Sequence, residues 1–194
     1  MLSSAAVHTL AGCLLAVDSD ADTVGWGRPA TLLLIHDRAV SAAGPAPVRA
    51  MRSVEFPLHR DDLLTDPAGL PMLLHRLAVS LTTPDAPTPY RATLDTILRL
   101  IRATEPDARL LAWAACYDDI ITVDGQPRQA RRIDAVDADG RVYQLTRPIG
   151  EEHPWLLVDD SPDPDDTPAT QPGLAALLAA TARHRPWNTS GGTA

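Results

Sequence analysis

The segment from Arg109 to Arg147 constrains the fold most, because two Asp-Gly pairs interrupt runs of strand-forming residues. Such a pair between two apolar or alternating runs is the strongest short-range signal for a β-hairpin turn. The segment therefore predicts a three-stranded antiparallel meander. Its strands are expected at residues 110–121, 126–136 and 141–146, with turns at Asp124-Gly125 and Asp139-Gly140 and a candidate fourth strand at Trp155–Val158.

A short amphipathic helix is predicted at the N-terminus, with Ser3 or Ser4 as its N-cap. Its apolar residues follow helical spacing and are Val7, Leu10, Ala11, Leu14 and Leu15. A strand at Thr31–Ile35 and another at Val48–Phe56 follow, separated by a loop rich in Ala, Gly and Pro. These two strands are expected to pair with each other.

Two further helices are predicted between this hairpin and the meander. The first begins at Asp66 and Pro67, and the second begins at Thr88 and Pro89, because a capping residue followed by proline is typical of a helix start. The apolar stripes are Leu70, Leu73, Leu74, Leu77 and Leu81 in the first helix and Leu94, Ile97, Leu98 and Ile101 in the second. We therefore expect an α+β fold of two layers, an antiparallel sheet covered by helices on one face.

The composition changes after Val158, where aspartates alternate with prolines as far as Pro168. Such a stretch predicts an extended, solvated linker. An Ala-rich helix that ends near His184 follows, and its few large apolar residues are Leu174, Leu177 and Leu178. We expect residues 1–158 to form the domain and residues 159–194 to form an arm. These leucines would dock on the domain or on a partner, and truncation at Asp159 would leave a folded core.

The charge of the chain speaks against a nucleic-acid binder. All 17 basic residues are arginines, and the formal net charge is -8, whereas proteins that hold a phosphate backbone carry excess positive charge. Cys13 and Cys116 are the only cysteines, which favours a reducing cytoplasm. Leu10–Cys13 resembles a lipoprotein cleavage box, but no basic residue precedes it. No stretch is long enough to predict a membrane span.

Candidate catalytic groups are few. Asp118 and Asp119 lie near the end of an apolar strand and could act as a general base together with a histidine such as His36 or His153. Adjacent strand residues point to opposite faces, so only one of the two aspartates could enter a given site. The histidines lack zinc-ligand spacing, and there is no glycine-rich phosphate loop, so the sequence predicts neither a metal nor a cofactor.

Arginines crowd the second strand of the meander. They could bind an acidic partner or an RNA backbone, or they could form a solvated sheet face or a docking surface for the Asp-rich linker. Alternation should place Arg131 on one face of the sheet and Arg132 on the other. Arg128, Arg131 and Arg132 are thus the polar candidates for partner binding, beside Leu174 and its two neighbouring leucines.

The absence of catalytic motifs favours a non-catalytic cytoplasmic interaction or accessory protein. It would act through a sheet face and the C-terminal arm, on another protein or on a second copy of itself. A hydrolase-like enzyme using Asp118 or Asp119 with a histidine is the alternative. Nucleic-acid binding through the Arg-rich strand is a weaker one.

Overall fold

The computed structural model describes residues 1–41, 48–59, 61–62, 69–83, 89–163 and 166–183. Within these residues there are four α-helices and six β-strands. The helices are α1 (Ser4–Val24), α2 (Gly69–Thr82), α3 (Pro89–Thr104) and α4 (Gln171–Ala182). The strands are β1 (Thr31–Ser41), β2 (Val48–Phe56), β3 (Arg109–Val123), β4 (Gln126–Asp137), β5 (Val142–Pro148) and β6 (Trp155–Asp159). The predicted α+β class is confirmed.

The strands form one open antiparallel sheet in the order β2-β1-β3-β4-β5-β6. Both predicted hairpins of the meander are present, as is the fourth strand, and the β1–β2 pair is also confirmed. The sequence did not predict that β1 pairs with β3, where Leu34 lies opposite Trp113. That pairing joins the N-terminal hairpin to the meander, so β2 and β6 are the two edges of the sheet.

The two Asp-Gly turns differ in geometry. Asp124 and Gly125 both have positive φ, 51° and 75°, which is the signature of a two-residue type I′ turn. Gly140 has a φ of 86°, but its Asp neighbour does not have positive φ. The amide of Gly140 donates to the carbonyl of Asp137, 2.9 Å away, which closes a longer loop with glycine in the left-handed position.

One face of the sheet, here called the three-helix face, is covered by α2, α3 and α4. The core on this face contains Leu32 and Leu34 of β1 and Trp113 of β3. Its helical residues include Leu74, Leu77, Leu94, Leu98, Leu174 and Leu177. A largely aliphatic core thus surrounds one fully buried tryptophan.

Helix α1 covers the opposite face, here called the α1 face, which adds a layer to the predicted two. Leu10 and Leu14 pack there against Leu33, Ile35 and Tyr143. The apolar residues of β1 and of the first half of β3 run continuously instead of alternating, which is typical of strands buried on both faces.

Helix α1 extends well beyond the predicted apolar stripe. The oxygen of Ser3 caps it by accepting from the amide of Ala6, 3.2 Å away, as predicted. Its second half is rich in aspartate, and the stripe therefore fades, yet Asp18 is fully buried. The predicted helix starts at Asp66-Pro67 and Thr88, the Ala/Gly/Pro-rich loop at 42–47 and the predicted end of the last helix near His184 lie outside the described residues.

The C-terminal helix packs on the same core as α2. Leu174 is 0% exposed and Leu177 is 1% exposed, while Leu178 is half-buried. The indole nitrogen of Trp113 donates to the hydroxyl of Thr181 at 3.1 Å. The arm is therefore docked on its own chain. That residues 1–158 form a separable domain stays a prediction.

Candidate functional site

The arginines of β4 divide between the two faces of the sheet, as alternation requires. Arg131 is buried on the α1 face, where Nη1 lies 3.4 Å from a carboxylate oxygen of Asp22 and 3.8 Å from one of Asp18. Its guanidinium also stacks 4.5 Å above the ring of Trp26. Since these contacts attach α1 to the sheet, Arg131 is occupied within the chain.

Arg147 on β5 completes this cluster. Its Nε donates to Asp18 at 2.8 Å, and Nη1 donates to the carbonyl of Glu152 at 2.6 Å. Burial would lower the pKa of the guanidinium, but the hydrogen bond to Asp18 outweighs that effect and raises it. A buried carboxylate is tolerated only when it is paired. The Arg147–Asp18 pair therefore makes the burial of Asp18 on α1 possible.

Arg132 lies on the three-helix face and is partly buried. Its guanidinium is 3.3 Å from a carboxylate oxygen of Asp134 and 3.5 Å from one of Asp119. Asp134 also accepts hydrogen bonds from the hydroxyls of Tyr117 and Thr170, at 2.5 and 2.6 Å. Burial and this carboxylate raise the pKa of Tyr117. The chain that leads into α4 is thus tied to the sheet by a buried polar cluster.

Arg128 is the predicted partner-binding arginine with the greatest exposure. Its side chain is 47% exposed and lies 3.4 Å from Glu151, which is similarly exposed. Such a pair contributes little to stability because solvent screens it. Of the six predicted partner-binding residues, Arg128, Arg132 and Leu178 reach the surface, whereas Arg131, Leu174 and Leu177 are buried within the chain.

The candidate catalytic groups are not brought together. Asp118 lies on the α1 face and accepts from the amide of Gly27 at 2.6 Å, whereas His36 lies on the three-helix face. His36 pairs with Leu110, eight residues before Asp118 along β3, a separation of roughly 26 Å. His153 precedes β6, three strands away from β3. Within the described residues, no group of His, Cys, Asp and Glu could hold a metal ion.

A cavity of about 330 Å³ lies between the end of α1 and the sheet. Asp118, Arg131 and the Cys116 thiol line it, together with apolar residues of α1 such as Val17 and Ala21. Burial raises the pKa of Cys116 to about 11, so the thiol is neutral and a poor nucleophile near neutral pH. Asp118 and Arg131 already have partners in the chain, so these two groups are not free to bind a ligand or to act on one.

The edge strand β6 exposes large apolar side chains to solvent. Trp155 is 56% exposed and Leu157 is 59% exposed, and both point to the three-helix face, since Leu156 and Val158 pack on the α1 face. No strand within the described residues pairs with the outer edge of β6. We call Trp155, Leu157 and this outer edge the β6 patch.

The β6 patch has acidic ends. Glu151 and Glu152 precede the strand and are exposed, and Asp159 and Asp160 follow its last apolar residue. Asp160 remains 77% exposed although it contacts Arg141. From the sequence, β6 was predicted only as a candidate strand, and its exposed surface was not predicted. Residues 155–158 are all apolar, so the sequence carries no signal for which of them is exposed.

Comparison with known proteins gives no relative: no protein-family model, curated protein or solved structure matches the chain significantly. Among the described residues, no helix is long and apolar enough to cross a bilayer.

Proposed function

We propose that this chain is a non-catalytic protein-interaction module that binds an extended segment of another protein at the β6 patch. The observation that carries the proposal is the exposure of Trp155 and Leu157, side by side on an edge strand. Edge strands that stay open are normally short, charged or covered, because their free amides and carbonyls attract other strands. β6 is short, but its central residues carry no charge.

Strand addition accounts for both parts of the patch. An added strand would pair with the outer edge through main-chain hydrogen bonds, and its alternate side chains would pack beside Trp155 and Leu157. Burying the exposed part of a tryptophan removes on the order of 100 Å² of apolar surface, or about 2–3 kcal/mol.

The charges around the β6 patch favour a partner segment with basic ends. Carboxylates stand at both ends of β6, and Glu151 and Glu152 would face residues that flank a bound apolar core. A second copy of the chain would bring the same carboxylates, with a net charge of -8 on each molecule. The surface therefore favours a basic partner over self-association.

The test uses synthetic peptides with alternating valine and threonine, carrying lysines or glutamates at both ends. A third peptide has the lysine ends but prolines at alternate positions, which remove the donors needed for strand pairing. We expect the lysine-flanked peptide to bind and the other two to bind at least tenfold more weakly, as measured by fluorescence anisotropy of labelled peptides.

The variant Trp155→Ala should weaken this binding by roughly 30- to 150-fold, from the 2–3 kcal/mol estimated above. Val79→Ala is the matched control, because Val79 is also about half exposed but lies on α2. Equal binding of the lysine and proline peptides, or no effect of Trp155→Ala, would refute strand addition. Sedimentation velocity would detect a dimer of the parent chain. If that dimer is lost in Trp155→Ala, the partner at the β6 patch is a second copy of the chain and not a basic segment of another protein.

A further inference from the structure

A second cavity, of about 300 Å³, lies between the β1–β2 hairpin and the last turns of α3. It is far from the β6 patch, at the other edge of the sheet. His36 and Arg52 line it from the strands, and Glu105 lines it just after α3. We call it the His36 cavity. Its volume is at the lower end for small-molecule sites.

Buried polar atoms without hydrogen bonds gather at this cavity. The side chain of His36 is 4% exposed, and its Nδ1 lies 3.3 Å from Oε2 of Glu105. Neither atom makes a hydrogen bond within the described part of the chain, and the same holds for the buried Nε of Arg38. Buried polar groups are nearly always partnered, so the two unpartnered atoms of His36 and Glu105 at the cavity indicate a missing partner there.

The cavity lining carries one charge of each sign. Arg52 lies directly opposite His36 on β2, and Glu105 lies just after α3. Arg38 lies two residues along β1 from His36 and outside the lining, with Nη1 3.5 Å from Oε1 of Glu105. In the described structure Arg52 has no hydrogen bond or ion pair. The Arg52 guanidinium is therefore free to bind a carboxylate.

The remaining wall is apolar. Ile97, Leu100 and Ile101 of α3 face Val54 of β2 across the cavity. Water could partner the orphaned atoms, but it would not suit this wall. A fitting ligand has a carboxylate for Arg52, a neighbouring donor for Oε2 of Glu105, and a short aliphatic tail.

We infer that the His36 cavity binds a small aliphatic carboxylate with an amino or hydroxyl group on the adjacent carbon. Arg52 holds the carboxylate, since a guanidinium group matches carboxylate oxygens in planar geometry. Glu105 accepts a hydrogen bond from the amino or hydroxyl group of the ligand, and His36 holds the Glu105 carboxylate in position. The aliphatic tail lies along Ile97 and Ile101. This binding site does not depend on the β6 patch, so the two tests can fail separately.

Isothermal titration calorimetry on the full chain tests the inference with three probes: leucine, its hydroxy-acid analogue and the plain carboxylic acid of the same skeleton. We expect leucine or the hydroxy acid to bind at least tenfold more tightly than the plain acid, because only they offer a donor to Glu105. Glu105→Gln should remove most of that preference.

Arg52→Ala should weaken binding at least tenfold without disturbing the fold, because the side chain is exposed and has no partner in the described structure. Arg99→Ala is the matched control, an exposed arginine of α3 that does not line the cavity. No binding of leucine or the hydroxy acid at about 10 mM, where even weak sites fill, would overturn the inference. Equal affinity for the plain acid, or unchanged affinity in Arg52→Ala, would do the same.

Discussion

Leu177→Ala should destabilise the fold strongly, because Leu177 is 1% exposed and packs in the same cluster as Trp113 and Leu74. Replacing a fully buried leucine by alanine costs about 2–5 kcal/mol, with the higher values where the surroundings cannot close the cavity. Here α4 has little freedom to move: a Cβ on Gly173 would lie 2.6 Å from Cβ of Leu74. We therefore expect a loss of about 3 kcal/mol or more.

Urea denaturation, followed by circular dichroism, measures the change in the free energy of unfolding. Leu178→Ala is the matched control, because Leu178 lies next to Leu177 on the same helix but is only half-buried, and it should cost about 1 kcal/mol or less. Equal losses in the two variants would refute the docked position of α4.

Truncation at Asp159 extends the same argument. It removes Leu174 and Leu177 together and leaves Trp113 without its cover and its hydroxyl partner. The summed loss of about 6 kcal/mol or more is comparable to the whole stability of a typical domain. From these contacts we expect the truncated chain not to fold stably, which is the opposite of the folded core that the sequence alone predicts. A cooperative unfolding transition in that chain would show that residues 1–158 are a separate domain.

Three further outcomes follow from local geometry. Gly140→Val should cost more than about 1 kcal/mol of unfolding free energy, because a β-branched residue is strained at a φ of 86°, and an unchanged melting temperature would contradict this. Burial alone would raise the pKa of Asp37, but hydrogen bonds from Arg49 and Arg109 outweigh it and lower the pKa. The resulting stability is present above about pH 4 and is lost as the pH falls through the lowered pKa. Asp37→Asn should therefore be less stable by about 1–3 kcal/mol at pH 7, because its arginine partners remain partly exposed, and it should approach the parent chain in acid denaturation. With its pKa at about 11, Cys116 should react with Ellman's reagent at pH 8 roughly 200-fold more slowly in the folded chain than in urea, and equal rates would contradict its burial.

Local signals predicted the hairpins well, because an Asp-Gly pair favours the positive φ angles that tight turns require. The meander, the β1–β2 pair and β6 all followed from such signals. The α+β class followed from the same elements, since an antiparallel sheet with separate helices leaves few other arrangements.

Features that depend on distant residues were not predictable in this way. Asp18 reads as a surface residue until Arg147, 129 positions later, is brought beside it. The second half of α1 and the layer it forms were therefore not predicted from the sequence. The exposure of Trp155 in the β6 patch was not predicted either, because it depends on which neighbouring elements fail to cover that side chain. No local sequence pattern contains this information.

Hydrogen exchange at the outer edge of β6 tests the central claim most directly. Amide exchange of the full chain would be followed by NMR with and without the lysine-flanked peptide, with the proline-containing peptide as control. Strand addition predicts slower exchange confined to amides within Trp155–Asp159, for the lysine-flanked peptide alone. Unchanged exchange in β6, or slower exchange centred on another surface, would contradict the account.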